Sequence, residues 1–196
     1  EAYHKGRILY GLYEAVRAVR TEGDVLLCEG YKDVIAFHAA GIRHAAGLCG
    51  TALTEDHVRM IRRLTGHVTL ALDPDPAGQA ATLRSARLLL ARGCEVGLLP
   101  LPGGMDPDEM FRRQGAEALR RLVRTEAVDY LSHRIREAAG RKGGPDVGGI
   151  REVLGEIRLV GSPLAVYRRM EELSKATGIP LDVLREELSA SPGEPV

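Results

Sequence analysis

Val25-Leu26-Leu27-Cys28 is a run of four apolar residues that stops at Glu29 and Gly30. A run with no polar face predicts a strand buried on both sides, as in a parallel sheet. Glu29 then stands at the carboxyl end of the strand, where open α/β sheets keep their ligands. A carboxylate there is costly to bury unless a positive charge meets it. What meets it is the question the remaining sequence has to answer.

The same rhythm repeats along the chain. Leu9, Leu12, Val16 and Val19 recur at helical spacing, and Gly23 stops that helix. Strands are predicted at residues 24–28, 45–48, 68–72 and 95–99, with helices at 31–40, 55–64 and from about 76 to 92 between them. Thr54 is placed as the N-cap of the second of these helices. Strands alternating with helices imply a mainly parallel sheet with right-handed crossovers. After Asp106 no further strand is predicted. Helices are expected at 107–114, 116–123, 127–139, 149–160, 163–177 and 180–188, with a flexible break at 141–145 and a frayed tail at 194–196. Pro163 and Pro180 sit where a helix start tolerates a missing donor. The expected organisation is α/β: an N-terminal loop and helix (1–23), a Rossmann-like mainly parallel sheet flanked by helices (24–124), and a small all-α subdomain (125–196).

Composition limits the alternatives. The chain has 196 residues, 44% hydrophobic and 28% charged, which is ordinary for a globular protein. No apolar run approaches the roughly 20 residues that span a bilayer, so no membrane partner is expected. The sequence begins at Glu1 in mid-pattern and is expected to be a piece of a longer protein. Its three cysteines, Cys28, Cys49 and Cys94, show no C-x-x-C spacing. They read as reduced core thiols of a cytoplasmic protein, without structural zinc. A net charge of zero argues against a uniformly basic nucleic-acid coat but leaves room for a local basic groove. With no tryptophan and two phenylalanines, the composition offers little for a base-stacking platform.

Three predicted strands end in acid: Glu29, then Asp73 with Asp75, then Asp106 with Asp108. In a parallel sheet these ends share one edge, so the acids converge. Two carboxylates about 4 Å apart repel by roughly 4 kcal/mol at an effective dielectric near 20. Such a set either raises its pKa values or recruits a cation, and hard oxygen donors suit Mg²⁺ or Mn²⁺. Asp75-Pro76 and Asp106-Pro107 also read as N-cap and N1 pairs, and Asp33 fits a helix's first turn. Capping and metal binding can coexist.

Glu29-Gly30-Tyr31-Lys32-Asp33 together with Asp73-Pro74-Asp75-Pro76-Ala77-Gly78 resembles the Toprim domain shared by topoisomerases, primases and certain nucleases. Lys5-Gly6-Arg7-Ile8-Leu9-Tyr10-Gly11-Leu12, Gly50-Thr51-Ala52-Leu53-Thr54 and Leu101-Pro102-Gly103-Gly104-Met105-Asp106-Pro107-Asp108 narrow the resemblance to bacterial DnaG-type primases. It covers residues 4–123 by motif and the helical remainder by general pattern. The resemblance implies primer synthesis on a single-stranded DNA template from ribonucleoside triphosphates, giving an RNA primer. It implies divalent metal on Glu29, Asp73 and Asp75, with Asp33, Asp106 and Asp108 as an outer cluster and Lys5 nearby to neutralise phosphate. Gly30, Gly50 and Thr51 are the expected nucleotide-binding positions. The replicative helicase would be met through a domain absent from this chain. One departure is Pro74, where the family usually has glycine; it stiffens the loop and removes a donor.

Two other readings stay open. A Toprim nuclease would use the same acids to activate water. A non-catalytic binding module would use the helical part, whose apolar stripes (Ile150, Leu154, Ile157; Leu164, Tyr167, Met170, Leu173) otherwise read as core. The arginine pairs 62–63, 112–113, 120–121 and 168–169 read mainly as solvated helix faces, some of them able to line a duplex backbone. The histidines His38, His57 and His133 read as surface or packing residues.

Overall fold

The computed structural model describes residues 4–140 and 144–190. The predicted break at 141–145 lies largely outside them, and the predicted tail at 194–196 entirely so. Helix α1 (Leu12–Glu22) leads through Gly23 into β1 (Asp24–Cys28). Then come α2 (Tyr31–Ala39), β2 (Ala45–Gly47), α3 (Glu55–Arg62), β3 (His67–Ala71), α4 (Pro76–Ala91) and β4 (Glu95–Leu98). The four strands are parallel, in the order β2-β1-β3-β4, so β1 lies inside the sheet with β2 and β3 on either side.

The first strand is buried on both faces, as its apolar run requires. Val25 and Leu27 join one hydrophobic cluster with residues of α1, α3 and α4. Leu26 and Cys28 join a second cluster with Val34 and Phe37 of α2 and with Met110, Leu119 and Leu122 of α5 (Pro107–Glu126). Gly115 breaks α5 into two pieces: its φ of 80° and ψ of 177° are glycine's territory. The two helices expected at 107–114 and 116–123 are these pieces.

The expectation that no strand follows residue 106 is corrected. Val128–Asp129 form a two-residue strand, β5, antiparallel to β4 at the sheet's edge. Two residues carry no alternation to read, so nothing local separates them from the helices around them. Asp129 then caps α6 (Tyr130–Ala139), accepting the Ser132 amide at 2.7 Å.

Helices α7 (Val147–Arg158), α8 (Pro163–Thr177) and α9 (Leu181–Ala190) complete the chain. Their buried residues, among them Ile150, Leu154, Ile157, Met170, Leu173 and Leu184, belong to the same cluster as Val25 and Leu70. The α7 stripe and the Met170 and Leu173 part of the α8 stripe are therefore core, whereas Leu164 and Tyr167 at the start of α8 are exposed. Within this packing Glu156 of α7 is fully buried, with Arg134 of α6 at 3.5 Å and Arg87 of α4 at 3.9 Å. Burial pushes its carboxyl upward and the two guanidinium groups oppose that shift.

Candidate metal centre

Because β1, β3 and β4 run parallel, their carboxyl ends open on one edge of the sheet, and each ends in acid. Glu29 follows β1 directly. Its Oε1 accepts the Asp73 amide at 3.2 Å, which ties the β1 and β3 ends together. Its carbonyl accepts the amide of Cys49 at 2.7 Å, and Cys49 takes a left-handed φ of 53° to deliver it.

Asp75 and Asp106 are both N-caps. Asp75 Oδ1 accepts the Gly78 amide at 2.7 Å at the start of α4, and Asp106 Oδ1 accepts the Glu109 amide at 2.6 Å at the start of α5. In each case the cap engages one carboxylate oxygen. Asp33 is buried in the first turn of α2, where its Oδ2 accepts the Gly30 amide at 2.9 Å. The amide of Asp108 also faces it.

The charges act on one another. Burial raises the Asp33 carboxyl to about 6, with Asp106 and Asp73 adding to the shift and the amides of Gly30 and Asp108 opposing it. Asp73 is raised by burial, then by Asp106 and Asp75. Glu29 is raised by burial and by Asp73, the Asp73 amide opposing, with Asp75 adding a smaller push. No cation figures among the causes for any of the three. The edge thus gathers Glu29, Asp33, Asp73, Asp75 and Asp106 into one repelling set.

Two predicted members stand apart. Asp108 turns its Oδ2 to Arg112 Nε at 3.1 Å, an i,i+4 ion pair along α5. Lys5 directs its Nζ to the Cys49–Gly50 turn, 3.9 Å from where a Cβ on Gly50 would lie. Its charge partly offsets the rise that burial and Asp33 impose on Cys49. Gly50 and Thr51 line a cleft of about 910 Å³ whose walls also include Glu29, Asp75, Arg84 and Leu154. Gly30 is the N-cap of α2.

The chemistry of this donor set fits a hard divalent cation, which would relieve the mutual repulsion. Among the described residues, no three acidic, histidine or cysteine side chains already stand close enough to share one ion.

Sequence reading missed the supports of this edge. Buried His57 closes a reciprocal cap with Thr54 and sets its Nε2 at 3.1 Å from the Lys5 carbonyl, while Thr54 Oγ1 donates to the Gly6 carbonyl at 2.6 Å. The spacing Thr-x-x-His was the signal for that clasp. Gly78 is required by contact: a Cβ there would meet the Asp73 carbonyl oxygen at 2.1 Å. Of the eight arginines in the four sequence pairs, four enter ion pairs: Arg112 with Asp108, Arg113 with Glu109, Arg120 with Glu117 and Arg169 with Asp129.

Residues 26–111 match a family model described as Toprim-like. The DNA primase of Halalkalibacterium halodurans is 35% identical over 189 residues, an alignment covering 94% of this chain and 32% of that protein. The chain thus spans about a third of that relative's length. The Aquifex aeolicus primase structure, comprising zinc-binding and RNA polymerase domains, superposes with a TM-score of 0.81 at 31% identity, over 93% of this chain and 44% of that one. The RNA polymerase domain of Mycobacterium tuberculosis primase DnaG, in complex with a double-stranded DNA oligomer with a 6-nucleotide overhang, gives 0.71 at 27% identity, over 91% and 59%.

Proposed function

Since the chain belongs to the DnaG-type primase family, we propose that it supplies the catalytic edge of a DNA primase. In this reading it makes short RNA primers on single-stranded DNA from ribonucleoside triphosphates, at the replication fork in the cytoplasm. Residues 1–23 form the motif loop and its helix, 24–124 the Toprim catalytic domain, and 125–196 the helical subdomain. The replicative helicase is a further proposed partner of the whole protein.

The observation that carries the proposal is the set of acids at three parallel strand ends, among which Glu29, Asp33 and Asp73 are raised by burial and by neighbouring acids. Glu29, Asp73 and Asp75 are the proposed holders of Mg²⁺ or Mn²⁺, with Asp33, Asp106 and Asp108 around them. When bound, a divalent ion there lowers the pKa of the primer 3′-hydroxyl and stabilises the leaving pyrophosphate. The chain's own contribution is preorganisation. Backbone amides fix one oxygen each of Glu29, Asp75 and Asp106, leaving the second oxygen free at a held position. The Thr54–His57 clasp fixes the backbone at Lys5 and Gly6, so the Lys5 ammonium can meet a phosphate beside Gly50 and Thr51.

Glu29→Gln and Asp73→Asn test this directly. Each should lower primer synthesis on a single-stranded template by at least about a thousandfold, given the several kcal/mol that such an ion supplies. Circular dichroism should be unchanged. Near-normal synthesis by either variant would remove the assignment, and template cleavage in the absence of nucleotides would replace it with a nuclease.

A further inference from the structure

The face of the sheet's β2 edge carries aromatic and basic groups that the catalytic edge does not use. Tyr13 is 89% exposed, Tyr31 52% and Tyr10 43%, with Ile8 and Ile35 exposed beside them in the sequence. The rings of Tyr10 and Tyr31 meet edge to face with centroids 6.2 Å apart. Next to them a hollow of about 420 Å³ is lined by Tyr10, Glu14, Ile35, His38 and Arg43. Along α1, Tyr13, Arg17 and Arg20 fall at i, i+4 and i+7, a single exposed stripe. Among the described residues, Arg17, Arg20, Lys32 and Arg43 enter no ion pair, so what sets this face apart is their company with the exposed rings.

Exposed rings interleaved with uncommitted cations suit a ligand that is both aromatic and polyanionic. On this face the four cations outnumber the exposed acids Glu14 and Glu22 of α1, a balance that suits a polyanion better than an apolar protein partner. The location narrows the choice further. Tyr31 directly follows Gly30 and stands two residues before Asp33, so a strand lying over the tyrosines runs onto the acidic edge. We propose that Tyr10, Tyr13 and Tyr31 form a stacking platform for the bases of a single nucleic-acid strand, with Arg17, Lys32 and Arg43 along its backbone. The proposal rests on the primase reading for the strand's role as template, but not for the binding itself.

The test is binding of labelled oligothymidylate, and of an abasic oligomer of equal length, to the 196-residue chain in EDTA. Tyr13→Ala and Tyr31→Ala should each weaken oligothymidylate binding roughly tenfold, as loss of one base-stacking contact does. Tyr31→Phe should retain it, and Tyr167→Ala on α8 should change nothing. The abasic oligomer should bind all variants alike. With six tyrosines and no tryptophan in the chain, oligothymidylate should also quench the intrinsic tyrosine fluorescence, and less so when Tyr13→Ala and Tyr31→Ala are combined. Unchanged oligothymidylate affinity in both alanine variants, or an equal loss on the abasic oligomer, would overturn the platform. Tyrosine-dependent binding alongside normal synthesis by Glu29→Gln would instead sink the catalytic reading alone.

Discussion

At the scale of single residues, the catalytic edge depends on a position that has no functional group. Gly78 sits where the first turn of α4 presses on the loop after β3, with a virtual Cβ 2.1 Å from the Asp73 carbonyl oxygen. That oxygen is backbone and cannot rotate away, so even a methyl group must push α4 off the sheet or move Asp73. Gly78→Ala is expected to cost about 3 kcal/mol, at the upper end of ordinary overpacking. It should also reduce activity beyond what that instability explains, because the displaced backbone belongs to a candidate ligand. Thermal melting together with synthesis measured well below the melting temperature checks both. A variant as stable and active as the parent would show that the contact relaxes freely. Asp73 itself was legible from its place at the end of an apolar run. Gly78 was legible only as part of a motif, since the contact that demands it joins backbones no local pattern describes.

At the scale of elements, the acids serve helices and site together, and the two roles can be separated. Asp75 caps α4 through the Gly78 amide, so Asp75→Ala should lose about 1 kcal/mol of stability. Asp75→Asn keeps an acceptor for that amide and removes only the charge. It should melt with the parent while losing synthesis as Asp75→Ala does; equal activity in Asn and parent would confine Asp75 to capping. The strand and helix sequence of the sheet was readable because each strand is a short apolar run and helices have marked starts or stops, such as Gly23, Thr54 and Pro76. Val128–Asp129 was not, because two residues become a strand only by pairing with β4. The same distinction holds at the site. Convergence of Glu29, Asp73 and Asp106 follows from parallel strands, whereas the turn of Asp108 toward Arg112 and of Lys5 toward Gly50 depends on neighbours that strand order does not specify.

At the scale of the whole molecule, the sheet and the helical segment share one core and the acids share one edge. A core running from Val25 and Leu70 to Leu154, Leu173 and Leu184 leaves no apolar boundary at which the helices can melt first. Leu173→Ala should therefore lower a single cooperative transition by about 2–5 kcal/mol. Separate far-ultraviolet and tyrosine-fluorescence transitions would contradict this. The shared edge sets how that stability varies with pH. Folded Asp33 holds its proton to about pH 6, against 3.8 for the free side chain, so the folded chain carries more protons than the unfolded one between these values. Stability must then fall as pH rises through that window, by at most about 3 kcal/mol from this group. Glu29 and Asp73, also raised, contribute with the same sign. Ion-paired acids elsewhere, such as Asp56 between Arg7 and Arg59, pull the other way, so the difference between parent and variant is the quantity to measure. Asp33→Asn keeps an acceptor for the Gly30 amide and removes the titration. Melted in EDTA from pH 4 to 8, it should gain on the parent as pH rises and level off above pH 6. Saturating Mg²⁺ should restore the parent at pH 8, because a cation bound only by the folded chain adds its binding free energy to stability. A parent–variant difference that stays flat across the window would mean that burial and the neighbouring acids do not raise Asp33 in the folded chain.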